Sequence, residues 1–312
     1  MRATLLYNPA AGKVRTTRTR DIAEVCAVLA AHGYEAEVVA TTAPGSAATQ
    51  AREAIANGAT HIFACGGDGT VHDVLQGMVD EGSSATGPAL GVIPMGSANA
   101  LARHLGLAMS PLEAARQQMA FAPRSIPVWE IECEGRRRYF IVMAGAGPDG
   151  MLVYKMMTAG KQRLGRLAYY GRAATIFASR RLPSFDLQLL ESGSGKRRAM
   201  CSVGAIAVRI GDLGGLFSGL AGDGEVHHPH LQLIAVRPPG WLSLPLWFAM
   251  GWLGMGRWNP LVHRANVDEF TCTPIDSCQV HLQADGEWSG TAPMRVTLVH
   301  DAVRLLMPVA PR

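Results

Sequence analysis

The chain has 312 residues, enough for two domains of ordinary size, with 48% hydrophobic and 17% charged residues, which excludes an intrinsically disordered polymer. The formal net charge of +4 is too small to argue for nucleic acid as a partner. Six cysteines without a CxxC pair or a matching His spacing argue against a zinc site or a disulfide framework and fit reduced thiols in a cytoplasmic protein.

The apolar run at the N-terminus is too short for a signal peptide and reads as a first strand, Thr4 to Tyr7, ending in the turn Asn8-Pro9-Ala10-Ala11-Gly12. A helix from about Arg18 to Ala31, a strand Glu35 to Ala40, a helix Ser46 to Asn57 and a strand His61 to Cys65 follow. This alternation predicts a parallel sheet with helices on both faces, whose ligands bind beyond the carboxyl ends of the strands. Asn8, Thr41, Thr42 and the turn Gly66-Gly67-Asp68-Gly69-Thr70 all fall at that edge. Adjacent glycines let a backbone close around an anion, and phosphate is the natural guest. A carboxylate beside phosphates makes sense chiefly with a divalent cation or a hydroxyl proton between them, which singles out Asp68.

A helix Val71 to Met78 and a strand Ala89 to Ile93 lead into a second small-residue turn at the same edge, Pro94 to Asn99, where Ser97 and Asn99 can reach phosphate or ribose oxygens. Ser110-Pro111-Leu112-Glu113 reads as a capping box that opens a helix running to about Ala120. Beyond Pro123 the pattern changes to strands. A hairpin of Ile126 to Cys133 with Tyr139 to Ala144 comes first, then strands near 185–190, 199–210, 231–236, 278–284 and 294–300, the pattern of a mostly antiparallel β-sandwich. The domains expected are therefore 1–124, 125–301 and a tail, 302–312, that returns to the first domain.

Within the second domain a helical insertion is expected at 161–180. Seven basic and no acidic residues between Met151 and Arg181 give a local positive face. The uncharged segment Pro238 to Gly256 carries three tryptophans but also Pro245. It suits a helix buried on the β domain or an interfacial membrane contact better than a spanning helix.

Gly145 to Gly150 matches G-x-G-x-x-G, but no second strand ending in an acid follows about 20 residues later, as a dinucleotide site requires. Gly193-Ser194-Gly195-Lys196 lacks the Ser or Thr of a P-loop and reads as a hairpin turn. Asp285-Gly286-Glu287 sets two acids at the end of an apolar strand, as a surface turn or as a general base or metal-linked carboxylate.

The ordered set NPAAG (8–12), GGDGTVHDVLQG (66–77), PMGSANALARHLG (94–106), GAGPDG (145–150) and ADGEW (284–288) resembles the diacylglycerol kinase and sphingosine kinase superfamily over nearly the whole chain. GGDGT alone is shared with NAD kinases and phosphofructokinases. The resemblance implies an α/β nucleotide-binding domain followed by a β-sandwich. It implies an ATP- and Mg²⁺-dependent kinase of a lipid such as diacylglycerol or a sphingoid, visiting the membrane peripherally. Carried over by residue, it implies nucleotide binding by Asn8, Thr41 or Thr42, Gly66, Gly67, Asp68, Gly69, Thr70, Gly96 and Ser97, with Asp149 toward the lipid head group. Asp285 and Glu287 would then lie near the transferred phosphoryl, with Asp285 as base and Asp68 organising Mg²⁺, or with Asp68 as the base, as sphingosine kinases use the aspartate of the glycine turn. Ala11, Ala100, Pro127 and His230 depart from residues common in the family and put its accessory metal network in question. A non-catalytic nucleotide-binding regulator of the same fold, and a kinase of a soluble substrate such as NAD, are the alternatives.

Overall fold

The computed structural model describes residues 1–10, 15–80, 86–158, 182–210, 226–252 and 259–309. The expected helical insertion, and all of the basic run except Lys155, lie outside them. The chain divides into two compact units, 1–128 with 299–312, and 129–298.

The first unit is built on parallel strands β1 (Arg2–Tyr7), β2 (Glu35–Ala40), β3 (His61–Gly66) and β4 (Ala89–Pro94), ordered β4-β3-β1-β2. Between them run α1 (Arg15–Ala31), α2 (Ser46–Ala56) and α3 (Asp68–Asp80), and α4 (Ala100–His104) and α5 (Pro111–Gln118) follow β4. β3 and β4 are almost entirely buried, the mark of central parallel strands covered on both faces. Leu5, Phe63, Cys65, Ala89 and Ile93 form one core with Ile22, Val25 and Leu29 of α1 and Ala115 of α5. Tyr7, Cys65 and Ile93 share one register line, so the three turns that follow β1, β3 and β4 leave the sheet at one edge.

Two details differ from expectation. α3 begins at Asp68, so the end of the glycine turn is already its first helical turn. Ser110 is the N-cap of α5 but makes no side-chain cap bond, and Glu113 instead pairs with Arg116 at 2.5 Å, which breaks the reciprocal geometry of a capping box.

In the second unit every pairing between strands is antiparallel. β7 (Met143–Ala146) lies between β10 (Gly204–Val208) and β13 (His281–Ala284), with β14 (Glu287–Thr291) beyond β13. On the other side β10 pairs β11 (Leu231–Val236), β11 pairs β12 (Val262–Pro274), and β12 pairs β8 (Phe185–Glu191), which pairs β9 (Arg197–Ser202). β5 (Ala122–Cys133) and β6 (Arg136–Phe140) form the expected hairpin, whose turn places Glu134 and Gly135 at φ 50° and 68°. Alternate residues such as Trp129, Ile131, Ala144, Ala146, Leu187, Ala205, Leu233, Phe270 and Leu282 meet in one core. Among the described residues the unit also has the helices α6 (Pro148–Thr158) and α7 (Gly240–Trp252), and α7 exposes Trp241 and Leu242.

β15 (Met294–Met307) pairs β12 through residues 294–297 and runs parallel to β4 through Arg304 and Leu305, so the chain's end belongs to the first unit. Three expectations are corrected. The strand anticipated at 139–144 is interrupted after Phe140, the one at 199–210 is two strands, and β12 and β14 were not foreseen.

Candidate active site

In the first unit the turns after β1, β3 and β4 are fastened by their own backbones. Asn8 donates its amide to the Cys65 carbonyl at 3.1 Å, and its Oδ1 accepts the Ala10 amide at 2.8 Å. Met95 donates to the Gly66 carbonyl at 2.8 Å, and Gly67 abuts Gly96 so closely that a Cβ on Gly96 would fall on the Gly67 Cα. Asp68 completes the clasp: Oδ2 accepts the Asn99 amide at 2.9 Å and Oδ1 the Ala100 amide at 2.6 Å. Asn99, at φ 51°, turns back on Gly96 with both ends of its side chain, Oδ1 accepting at 3.0 Å and Nδ2 donating at 2.9 Å.

Gly66 to Thr70, Gly96 and Asn99 are thus one cluster, with Asn8 tied to its rim through Cys65. Thr41 donates to the Tyr7 carbonyl at 2.9 Å at the same sheet edge, and Thr42 donates to Ser46 Oγ at 3.0 Å. Ser97 is exposed on the second turn. Thr70 and Val71 donate to the Gly67 carbonyl at 3.0 and 3.2 Å, and the helix dipole adds partial positive charge at this end of α3, so the cluster fits an anionic phosphate chain.

Its fit to a metal is different. Both Asp68 oxygens already take backbone amides, and no group of three His, Cys, Asp or Glu side chains able to hold a metal exists among the described residues. Mg²⁺ bound mainly through nucleotide phosphates suits such a site better than a cage of protein ligands.

In the second unit Asp285 sits at φ 49° and Gly286 at φ 84° in the β13–β14 turn. The Asp285 carboxylate accepts three consecutive amides, Ile141 on Oδ2 at 3.0 Å and Val142 and Met143 on Oδ1 at 2.8 and 3.0 Å. Its own amide donates to the Met143 carbonyl at 2.8 Å. This wrapping is why the strand expected at 139–144 breaks: the amides that would continue a ladder bond a side chain instead. Arg209 is buried nearby; burial pushes its guanidinium down to about 10 while the Asp285 charge acts the other way. Glu287 opens β14 and is exposed.

Asp149 lies in the first turn of α6, and burial pushes its carboxyl up to about 6 against the opposing hydrogen bond from Gln283. The strand-turn-helix around it is local only, because β7 has antiparallel neighbours and forms no parallel βαβ unit, so the dinucleotide reading of Gly145 to Gly150 has no structural basis.

Sequence reasoning missed Gln283 and Arg209. The signal for Gln283 was an amide two residues ahead of Asp285 in the apolar strand that leads into it; Arg209 left no pattern distinguishable from a surface charge.

An α/β unit with glycine turns at one parallel-sheet edge, followed by an antiparallel β unit, defines a class shared by diacylglycerol kinases and NAD kinases. A solved diacylglycerol kinase from Bacillus anthracis str. Sterne superposes with a TM-score of 0.70 at 17% identity, over 98% of this chain and 96% of that one. Yeast NADH kinase complexed with NADH superposes with a TM-score of 0.52 at 10% identity, over 99% and 84%. Residues 2–131 match the diacylglycerol kinase catalytic domain family. The chain is 27% identical over 308 residues to a diacylglycerol kinase of Bacillus subtilis (strain 168), covering 98% of this chain and 96% of that protein. The diacylglycerol kinase catalytic domain family thus accounts for residues 2–131, and the chain as a whole is similar to diacylglycerol kinases.

Proposed function

We propose that this chain is a lipid kinase that transfers the γ-phosphoryl of Mg²⁺-ATP to the hydroxyl of a lipid such as diacylglycerol or a sphingoid. The observation that carries this reading is the pair of glycine turns clasped by Asp68, a backbone cradle with the chemistry of a phosphate chain. Asn8, Thr41, Thr42, Gly66, Gly67, Gly69, Thr70, Gly96, Ser97 and Asn99 supply the nucleotide contacts. Asp68 acts chiefly by holding the two turns in one shape, and each of its oxygens keeps at most one lone pair for a water of the metal. Mg²⁺, arriving with the nucleotide, neutralises charge on the phosphates during transfer.

Asp285 is the base in this reading, assisted electrostatically by Glu287. Val142 and Met143 donate to Oδ1 and Ile141 to Oδ2, and in this reading Oδ2 is the atom that receives the lipid hydroxyl's proton. Asp149 orients the head group. The membrane contact is peripheral, through the exposed Trp241 and Leu242 of α7; no helix among the described residues is long and apolar enough to cross a membrane.

The full occupation of Oδ1 favours one rival, a regulator that binds nucleotide without turnover. Label transfer from γ-labelled ATP into a lipid extract separates them. The kinase gives a labelled lipid that disappears in Asp285→Asn, whereas the regulator gives ATP binding and no labelled lipid.

A further inference from the structure

Behind the Asp285 turn the side-chain amide of Gln283 is buried and engaged at both ends. Nε2 donates to Asp149 Oδ2 at 2.6 Å, and Oε1 accepts the Gly286 amide at 2.8 Å. A primary amide satisfies a carboxylate and an N–H together in one orientation only; flipped, it would set oxygen against oxygen and N–H against N–H. The surroundings leave no slack. Gln283 faces Gly145 in the β13–β7 ladder, and a Cβ on Gly145 would fall on the Asp149 carboxylate. A Cβ on Gly150 would fall on the His281 carbonyl, so the first turn of α6 lies directly on β13. Farther along the same helix Tyr154 stacks on the His281 ring, centroids 4.3 Å apart, and fixes the helix's rotation.

We propose that Gln283 is a positioning residue, one amide that sets the Asp149 carboxylate and the peptide following Asp285 in a single arrangement. Its place in a reaction rests on the lipid kinase reading; its bridging role is independent of it. The bridge joins the group assigned to the acceptor head to the turn assigned to the base, so a shift at one end is felt at the other. Hydroxyl and base would lose their alignment together while the nucleotide cradle of the first unit stayed intact.

The test uses the full-length chain with Gln283→Met, which removes both bonds, and Gln283→Glu, which keeps the acceptor for Gly286 and loses the donor to Asp149. Hydrogen exchange at the Gly286 amide reads the bridge directly. It should accelerate in Gln283→Met and stay slow in Gln283→Glu. Steady-state kinetics with lipid vesicles should show kcat for Gln283→Met down by about ten- to a hundredfold, with the KM for ATP within about twofold of wild type.

Gln283→Glu sets two carboxylates together that must share a proton, so its kcat/KM for lipid relative to wild type should recover from about pH 8.5 down to about pH 6.5. Among the described residues the other charged groups around the bridge are Lys155, Asp285 with the buried Arg209 near it, and Glu287. Burial, and with it the Lys155 charge, holds His281 below the ordinary imidazole range.

Unchanged Gly286 exchange in Gln283→Met overturns the bridge. Wild-type kinetics in Gln283→Met, or a pH-independent ratio for Gln283→Glu, overturns the positioning role. Should Gln283→Met fail to fold, rapid Gly286 exchange in wild type overturns the bridge, and the pH ratio in Gln283→Glu decides the positioning role. A wild-type chain that labels no lipid yet protects Gly286 defeats the kinase reading and the positioning role with it, and leaves the bridge as architecture.

Discussion

Asp68 in the first unit and Asp285 in the second do the same local chemistry: each aspartate side chain accepts backbone amides from a segment distant in sequence. The surroundings separate them. Around Asp68 the neighbours are glycines and a helix N-terminus, so the clasp draws two glycine turns together at the positive end of a helix dipole. Around Asp285 the neighbours are strand residues, a buried arginine and the Gln283 bridge, so the same kind of clasp interrupts a strand. A carboxylate bound to amides is thus a structural fastening in both units, and what differs is whether it joins two glycine turns or interrupts a strand.

The largest effect should come from Asp285→Asn. The amide's NH₂ must face at least one of the Ile141, Val142 and Met143 N–H groups, leaving donors opposed in a partly buried turn, which costs about 1–3 kcal/mol. Lipid phosphorylation should fall by about two to three orders of magnitude and the urea midpoint should drop as well. An inactive variant of unchanged stability would mean that the amide bonds contribute little.

Asp149→Asn should have the opposite sign on stability. The folded carboxyl is raised from 3.8 to about 6, so the native state binds more protons than the unfolded chain between those values, and stability declines as pH climbs through that window. The replacement removes the penalty, so the variant should be more stable at neutral pH by up to about 3 kcal/mol, with the gain vanishing toward pH 4. Denaturation at a series of pH values checks this, while the KM for lipid should rise.

In the first unit Gly96→Ala places a Cβ on the Gly67 Cα and should raise the KM for ATP about tenfold or more with little change in the lipid KM; Gly67→Ala, whose Cβ meets the Gly96 Cα at 3.2 Å, should do less. Smallest of all, Ser97→Ala, at an exposed position, should change the KM for ATP by about two- to threefold. Isothermal titration with a nonhydrolysable nucleotide would order the three.

Much of the first unit was legible because its signals are local: buried runs such as His61 to Cys65 and Ala89 to Ile93, each broken by glycine or proline at the edge that matters. The roles of Asp68 and Asp285 were legible only as acids near phosphate chemistry, since the sequence does not say that their oxygens bond amides 31 and 32 residues away in one case and 142 to 144 in the other. β12 went unseen because Val262 to Pro274 interleaves His, Arg, Asn, Asp and Glu with its apolar residues. The strand changes partners and register between Val267 and Glu269, so no single alternation runs its length. The break after Phe140 was hidden for the same reason as the Gln283 bridge, because both depend on side chains reaching across the sheet.

The most direct measurement is phosphate transfer from γ-labelled Mg²⁺-ATP into vesicles that hold diacylglycerol, sphingoid base or total lipid extract, run with wild type, Asp285→Asn and Gly96→Ala. A labelled lipid from wild type, abolished in the first variant and restored by excess ATP in the second, is the expected outcome. Absence of any labelled lipid, where a Bacillus diacylglycerol kinase labels one in the same vesicles, would contradict it.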